Sequence, residues 1–350
     1  MLNKIVDPLV DWYRENRRVL PWREQKNAYY TWVSEIMLQQ TRVEAVKPYF
    51  QRFISELPDP AALAACPEEK LLKLWEGLGY YNRVRNMQQA ARTVVEEYGG
   101  KLPADYRKLL SLKGIGNYTA GAIASIAYGI PVPAVDGNVL RVVSRIKESR
   151  QDIMKQSVRR EIEEELQKIM PAACPGDFNQ ALMELGALVC VPNGEPKCKE
   201  CPAAFCCGAC LHGTTGEIPV REAKKERKVE ERTVLVIQDG RMTAIHRRPA
   251  KGLLAGLYEL PNIEGKLTRE QVLDKVKELE LEPLFIRELE PAKHIFSHVE
   301  WRMKGYLVRV SSLEQKKNNR LIFTEKNQVE KQYAIPSAFR AYVKYIKEET

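Results

Sequence analysis

The chain has 350 residues, 44% hydrophobic and 29% charged, which excludes a disordered chain and allows two or three folded domains. Lys and Arg number 55 against 46 Asp and Glu, so the formal net charge of +9 suits a polyanionic partner, with nucleic acid as the leading candidate. Residues 2–18 carry Asp7, Asp11 and Arg14 among apolar positions, which argues against a signal peptide or membrane span and favours the cytoplasm.

The amino-terminal third of the chain has a helical pattern and no predicted strand. Residues 29–53 are predicted to form a helix broken at Pro48, and Glu35 lies in it among apolar side chains. Trp32 and Leu38 lie three positions to either side, so we expect Glu35 to point into a crevice, where desolvation would raise its pKa. The alternative is a solvated charge on an amphipathic helix.

A glycine-flanked loop at residues 77–81 joins two predicted helices. We expect it to expose Leu78, Tyr80 and Tyr81. Proteins that unstack DNA insert apolar side chains of this kind between bases. The alternative is an ordinary turn whose tyrosines pack on the core.

Gly114 and Gly116 lie one residue apart, just before a helix predicted to begin at Tyr118 or Thr119. Such a turn can direct backbone N–H groups outward, and the positive end of the helix adds to them, so the turn could bind a DNA phosphate. The pattern is typical of a helix–hairpin–helix. It is also compatible with a simple connection between two core helices.

Asp136 precedes an apolar helix predicted over residues 139–146 and is expected to cap it. The N–H groups and dipole of that helix would favour the ionised carboxylate. Cleavage of a glycosidic bond uses one ionised carboxylate and one carboxyl group that donates a proton. Asp136 and Glu35 fit these two roles, provided that the fold brings them together.

Six of the eight cysteines fall within residues 190–210, directly after a helix predicted over 178–189. In a reducing compartment this crowding indicates metal ligation rather than disulfides. Four thiolates in a compact loop can bind an iron–sulfur cluster or a structural zinc, and the spacing does not choose between them. The candidate ligands are Cys190, Cys198, Cys201 and Cys207, with Cys206 and Cys210 as competing thiols.

The pattern changes to α+β from about residue 231, after a charged linker predicted over 214–230. Asp239-Gly240 indicates a β-hairpin, and Thr268 begins a capping box that opens a helix ending near Leu279. A strand is predicted over 301–310 and a closing helix over 335–346.

Taken together, these segments resemble the adenine DNA glycosylases of the MutY type, within the endonuclease III-like helix–hairpin–helix superfamily. The resemblance covers nearly the whole chain, and its motifs are residues 20–23, 34–41, 77–81, 112–120, 135–139, the cysteine segment and 296–298. It implies a multidomain fold, with an all-α helix–hairpin–helix glycosylase core and cluster loop in 1–213, then an α+β Nudix-like lesion-recognition domain in 231–350. Within the core, a six-helix part spans about 22–130 and a cluster part comprises 1–21 and 131–213.

The resemblance further implies a bacterial, nucleoid-associated monomer that flips and excises adenine mispaired with 8-oxoguanine or guanine in double-stranded DNA, and a structural [4Fe-4S] cluster. Glu35 resembles the family's acid toward adenine N7, and Asp136 its carboxylate that stabilises the oxocarbenium ion or forms a covalent sugar adduct. Tyr118 stands where bifunctional relatives carry a Schiff-base lysine, so glycosylase activity without strand cleavage is expected. The implied site residues are Glu35, Tyr118, Asp136 and Asn138 for catalysis; Trp22, Arg23, Gln40, Thr41, Leu78, Tyr80, Gln180, Ser297 and His298 for substrate binding; Gly114 and Gly116 for DNA phosphate; and Cys190, Cys198, Cys201 and Cys207 for the cluster.

Two departures from the family pattern affect these expectations. Seven residues separate Cys190 and Cys198 where the family usually has six, and the fourth ligand stays open among Cys206, Cys207 and Cys210. The carboxy-terminal segment lacks the Nudix catalytic signature, so we expect lesion recognition rather than nucleotide hydrolysis.

Three other functions remain possible from the sequence. A thymine or uracil mismatch glycosylase could share the core, but would lack the domain after residue 230. A bifunctional lyase is opposed by Tyr118. A non-catalytic zinc-bearing DNA-binding protein would explain the charge and the cysteines, but would leave Glu35 and Asp136 without a role.

Overall fold

The computed structural model describes residues 2–222, 226–313 and 321–347. The chain divides into two compact units. The first comprises Met1–Cys66 and Asn82–Lys224, and the second Pro67–Tyr81 and Lys225–Thr350. None of the helices in the described ranges combines the length and hydropathy that crossing a bilayer would need.

The helices up to residue 211 all belong to the first unit except α5, which belongs to the second. They are α1 Val6–Asn16, α2 Ala28–Leu38, α3 Val43–Glu56, α4 Pro60–Ala65, α5 Glu68–Leu74, α6 Asn82–Tyr98, α7 Tyr106–Ser111, α8 Asn117–Ala122, α9 Gly137–Lys147, α10 Gln156–Ile169, α11 Pro175–Leu188 and α12 Gly208–Leu211. Short 3₁₀ segments cover Leu2–Ile5, Pro21–Arg23, Cys198–Glu200 and Ala204–Cys206, and a π-helical turn at Ile123–Ala127 extends α8.

The helix predicted over residues 29–53 is two helices, α2 and α3, and the expected break at Pro48 is wrong. The chain turns instead at Gln40, whose φ of +63° cannot continue a right-handed helix. Pro48 lies inside α3, which continues past it to bury Phe50 and Phe53. Burial of these aromatic rings outweighs the loss of one backbone hydrogen bond at the proline.

The core of the first unit surrounds α9, where every residue from Val139 to Ile146 is buried. Side chains of α1, α10 and α11 pack in the same cluster. Gly121, in α8, allows a close approach to the segment that leads into α9, because a Cβ there would lie 2.2 Å from the carbonyl oxygen of Pro133. This contact fixes the backbone just before Asp136.

The second unit contains a seven-stranded mixed sheet with the order β3-β2-β1-β6-β5, in which β4 also pairs with β1 and β7 with β2. The strands are β1 Lys228–Gln238, β2 Met242–Arg247, β3 Tyr258–Glu259, β4 Asn262–Glu264, β5 Pro283–Ile295, β6 Val299–Val310 and β7 Ile322–Glu325. β1 and β6 run parallel in an eleven-residue register, from Lys228 opposite Val299 to Gln238 opposite Arg309, and the other pairs are antiparallel.

Helices cover both faces of this sheet. Helix α13, Arg269–Glu278, packs on one side through Val272 and Val276. The helices α14, Lys326–Gln332, and α15, Arg340–Val343, lie on the other side. The arrangement is a helix–sheet–helix sandwich.

Local predictions for this unit are partly confirmed. β1 and β2 flank Asp239-Gly240, with Gly240 at a φ of +99°, and Thr268 forms the capping box at the start of α13. The closing helix predicted over 335–346 is instead 3₁₀, α and 3₁₀ turns in succession. Of the predicted linker, residues 223–225 lie outside the described residues, and the Ile218 carbonyl accepts a hydrogen bond from Arg145 in the first unit.

Candidate active site and cluster segment

A cavity of about 640 Å³ in the first unit contains all four predicted catalytic side chains in its lining. Glu35 comes from α2, Tyr118 from α8, and Asp136 and Asn138 from the start of α9. The volume is that of a small-molecule pocket, for which about 300–1,000 Å³ is usual. The fold therefore brings together two carboxyl groups that are far apart in the chain.

Glu35 is buried, with 7% of its surface exposed. Burial raises its pKa to about 7, and the charge of Asp136 adds to this shift, whereas a hydrogen bond from the Tyr118 hydroxyl and the charge of Arg23 oppose it. The interpretation of Glu35 as a solvated surface charge is wrong. A carboxyl group with this pKa is partly protonated at neutral pH and can donate a proton.

Asp136 caps α9, as predicted. One carboxylate oxygen accepts the Val139 N–H at 2.8 Å, and the other accepts the Asn138 side-chain amide at 2.9 Å. These donors favour the ionised carboxylate, as expected, but burial outweighs them and raises the pKa of Asp136. The two hydrogen bonds hold the carboxylate in a single orientation.

Tyr118 lies in the first turn of α8, with its hydroxyl between Glu35 and the Met183 sulfur, which is 3.9 Å away. Burial and the two nearby carboxyl groups raise the pKa of Tyr118 well above its usual value, so the phenol stays protonated. The described residues that line the cavity include arginines but no lysine. An amine nucleophile is therefore absent from this part of the described structure.

A hydrogen-bonded chain connects Asp136 with the cysteine segment. The Asn138 side-chain oxygen accepts from Arg141 Nη2 at 2.9 Å, and Arg141 Nε donates to the Cys190 carbonyl at 2.8 Å. Arg145 Nη1 donates to Cys190 Sγ at 3.3 Å. Neither arginine was predicted from the sequence, because their role depends on which face of α9 meets α11.

Arg18 and Glu184 line the cavity beside Arg23, and neither was predicted from the sequence. Arg18 donates to both Glu184 oxygens at 2.7 and 3.0 Å, and Arg23 donates at 3.0 Å. Burial alone would raise the pKa of Glu184, but these hydrogen bonds and charges lower it to about 2. The signal that singled out Glu35, a carboxylate within an apolar helix, applies equally to Glu184.

The predicted substrate-binding residues separate into two groups. Trp22, Arg23, Gln40, Thr41 and Gln180 line the cavity of the first unit. Leu78, Tyr80, Ser297 and His298 lie in the second unit.

The glycine-flanked loop differs from its prediction. Leu78 and Tyr81 are each 6% exposed, so their expected exposure is wrong, whereas Tyr80 is 50% exposed. Trp75 Nε1 donates to the Gly79 carbonyl at 3.1 Å and folds the loop back. The Tyr80 hydroxyl lies 3.1 Å from Ser297 Oγ, in the turn between β5 and β6.

The two hairpin glycines occupy different conformations. Gly114 has a φ of +78°, and a Cβ there would lie 2.7 Å from the Cβ of Asn86. Gly116 is the N-cap of α8 and has open space around it. The turn between α7 and α8 is therefore tight at its first glycine and accessible at its second.

Five thiols line one small cavity after α11. They belong to Cys190, Cys198, Cys201, Cys207 and Cys210. Burial, together with the neighbouring thiols, raises the pKa of Cys198 to about 11 and that of Cys201 to about 12. The described ranges contain no group of three or more His, Cys, Asp or Glu side chains that is already arranged to hold a metal ion. The fit of a metal centre to this cavity therefore rests on donor chemistry, since a lining of sulfur without carboxylate or imidazole suits iron–sulfur or zinc.

Comparison with known proteins identifies the family. Residues 33–168 match the HhH-GPD superfamily of base excision DNA repair proteins, and residues 232–345 match the NUDIX domain. The adenine DNA glycosylases of Rattus norvegicus and Homo sapiens are each 34% identical to this chain. Each alignment covers 85% of this chain, with 69% of the Rattus norvegicus protein and 65% of the Homo sapiens protein. That of Buchnera aphidicola subsp. Schizaphis graminum is 32% identical, with 89% of both chains covered. The chain belongs to the adenine DNA glycosylases.

Solved structures support the fold of this glycosylase. A thermostable thymine-DNA glycosylase is 27% identical, with a TM-score of 0.53 over 60% of this chain and 97% of that chain. Endonuclease III in a non-covalent DNA complex is 25% identical, with a TM-score of 0.52 over 61% and 96%. The expected helical core with a following Nudix-like domain is confirmed.

Proposed function

We propose that this glycosylase excises adenine paired with 8-oxoguanine in duplex DNA, and that it does so without cleaving the strand. The observation that carries the proposal is the shared cavity of Glu35 and Asp136, with Tyr118 bonded to Glu35. Enzymes that act on a base in a duplex extrude the nucleotide into such a pocket.

In the proposed reaction, protonated Glu35 donates to N7 of the flipped adenine. The bond between N9 and C1′ then breaks, and its electron pair leaves with the neutral base. The Asp136 carboxylate stabilises the sugar cation or forms a covalent adduct with C1′, and water finally supplies the hydroxyl group. Asn138 orients Asp136, since it bonds the carboxylate and is itself held by Arg141.

The rest of the cavity would recognise the base. Gln180 can present its amide to the adenine edge, and Trp22 provides an aromatic wall. Glu184 would hold Arg18 and Arg23 at the cavity wall as a positioning residue. Gln40 and Thr41 contribute polar groups at the same cavity.

Recognition of 8-oxoguanine is assigned to Ser297, with Tyr80 and His298 beside it. 8-Oxoguanine presents an N7–H donor where guanine has an acceptor, and a hydroxyl group can accept from it. Support comes from the contact between the Tyr80 and Ser297 hydroxyls, because it brings a half-exposed aromatic ring and the proposed reader together within one unit. The exposed Tyr80 ring would insert into the base stack. Leu78 is buried, so its insertion would require the loop to open.

The cluster proposal concerns Cys190, Cys198, Cys201 and Cys207. A [4Fe-4S] cluster bound there would hold residues 190–207 in one conformation. Arg145 donates to one of these sulfurs, as suits a ligand that becomes anionic. Gly114 and Gly116 would bind a DNA phosphate through backbone N–H groups, and the chain would act as a monomer.

The decisive experiment compares excision from four duplexes under single-turnover conditions. They contain adenine, guanine, thymine or uracil opposite 8-oxoguanine. We expect cleavage of the adenine substrate alone, and a loss of a hundredfold or more, on the order expected for a missing general acid, in Glu35→Gln and Asp136→Asn. Glu44→Gln, an exposed carboxylate on α3, is the control.

Efficient excision of thymine or uracil would instead support the alternative of a mismatch glycosylase. The similarity to a thymine-DNA glycosylase is the observation that favours this alternative. Near-parental excision by either carboxylate variant would disprove the proposed mechanism.

A further inference from the structure

Cys210 is a fifth thiol at a site that needs four. Its side chain lines the same cavity as Cys190, Cys198, Cys201 and Cys207. The four ligands that the family resemblance implies do not include Cys210, which the sequence left as a competing thiol. An iron–sulfur cluster of the proposed type takes four cysteine ligands, so one of the five thiols is in excess.

The competing thiol of Cys206 does not share this location. It donates to the Ala203 carbonyl oxygen, 3.7 Å away, and does not line the cavity. The excess thiol is therefore Cys207 or Cys210.

The geometry of α12 keeps both of these thiols at the cavity. Cys207 is the N-cap of α12 and Cys210 lies three residues later, a spacing that places two side chains on one face. The Cys210 N–H donates to the Cys207 carbonyl at 3.1 Å. The Cys210 and Cys198 side chains line the same cavity.

Helix α12 is also held against the end of α9. A Cβ on Gly208 would lie 2.9 Å from the Cβ of Glu148, so the helix packs tightly there. Glu148 in turn accepts from Thr214 at 2.8 Å and lies 2.6 Å from His212 Nδ1. These contacts fix the backbone that carries both thiols at the cavity.

We infer that Cys210 is a reserve ligand of the cluster, which stays at the cavity while Cys207 is bound and takes the fourth position when Cys207 is lost. The inference rests on the cluster proposed above. In the exchange, the iron–sulfur bond to Cys207 breaks and its thiolate takes up a proton. The Cys210 thiol releases a proton and its sulfur forms the new bond, so no oxidant or reductant is needed.

The test measures iron and acid-labile sulfide per chain, with the visible absorbance, in full-length protein purified without oxygen. The variants are Cys207→Ala, Cys210→Ala, the double variant, and Cys206→Ala as the matched control. Alanine is chosen because a serine oxygen could itself bind iron. Far-UV circular dichroism and the melting temperature report on folding.

We expect Cys206→Ala and Cys210→Ala to match the parent, Cys207→Ala to keep most of its iron, and the double variant to lose the intact cluster. Equal iron loss in Cys207→Ala and the double variant would overturn the inference, as would an intact cluster in the double variant. A parent protein without iron and sulfide would instead refute the cluster proposal itself.

A second measurement avoids variants that fail to fold. The folded parent, Cys206→Ala and Cys210→Ala are each exposed to an iron chelator, and the loss of visible absorbance is timed. We expect several-fold faster loss from Cys210→Ala, because a ligand that dissociates transiently then has no replacement. Equal rates in all three proteins would contradict the reserve role.

Discussion

The proton-donating role of Glu35 makes a quantitative prediction about pH. Its pKa of about 7 means that the carboxyl group is protonated below neutral pH and ionised above it. Single-turnover excision of adenine should therefore be constant below pH 7, as far as Glu35 is concerned, and fall about tenfold for each pH unit above it. In Glu35→Gln the excision rate should be greatly reduced, and the residual rate should not decrease as pH rises above 7.

Tyr118→Phe tests the origin of that pKa. The Tyr118 hydroxyl donates to Glu35 and so favours the ionised carboxylate. A hydrogen bond to a charged group is worth about 1.5–3 kcal/mol. At about 1.4 kcal/mol for each pKa unit, its loss should move the alkaline limb upward by roughly one to two pH units. A limb that stays in place or moves to lower pH would refute this reasoning.

The same pKa has a consequence for stability. Burial raises the pKa of Glu35 from 4.5 to about 7, so between these values the folded state binds more protons than the unfolded state. The free energy of unfolding should therefore decrease as pH rises from about 4.5 to 7 through this group. Glu35→Gln should be more stable than the parent above pH 7, by up to the order of 3 kcal/mol. Urea unfolding at pH 5 and pH 8 measures the difference, and an advantage that is greater at pH 5 would contradict the assigned shift.

Four further predictions concern other parts of the molecule. Tyr118→Lys should introduce strand cleavage, because an amine would reach the sugar and form an imine that borohydride traps; trapping by the parent protein would refute the assignment of glycosylase-only activity. Glu184→Gln should lower the unfolding free energy by about 3–5 kcal/mol, since it leaves two arginines beside the cavity without their buried partner; denaturant titration checks this, and a neutral effect would count against it. Gly121→Ala should destabilise the first unit, because its Cβ would overlap a carbonyl oxygen at 2.2 Å; an unchanged melting temperature would show that the backbone can move. The Glu76 carboxylate accepts the backbone N–H of Ile335 at 2.8 Å within the second unit, so Glu76→Ala removes this bond and should reduce the preference for adenine opposite 8-oxoguanine over adenine opposite guanine. Glu44→Ala, which breaks an exposed ion pair, should leave that preference unchanged. Equal preferences in both variants would contradict the prediction.

The sequence predicted features that depend on neighbouring residues. Asp136 caps α9 and Thr268 forms a capping box because their hydrogen-bond partners lie within three positions along the chain. The crowding of cysteines likewise predicted a thiol-lined site. The chemistry of glycosidic cleavage also paired Glu35 with Asp136, provided that the fold brought them together, and the resemblance then implied the role of each.

The tertiary structure decided what depends on burial and on distant partners. The pKa of Asp136 rises because burial outweighs its local donors, and Glu184 ionises because Arg18 and Arg23 reach it from another part of the chain. Likewise, residues 67–81 group with the second unit through contacts such as Tyr80 with Ser297. Local hydrogen bonds are set by residue spacing, whereas desolvation depends on every atom that excludes water, and those atoms come together only when the chain has folded.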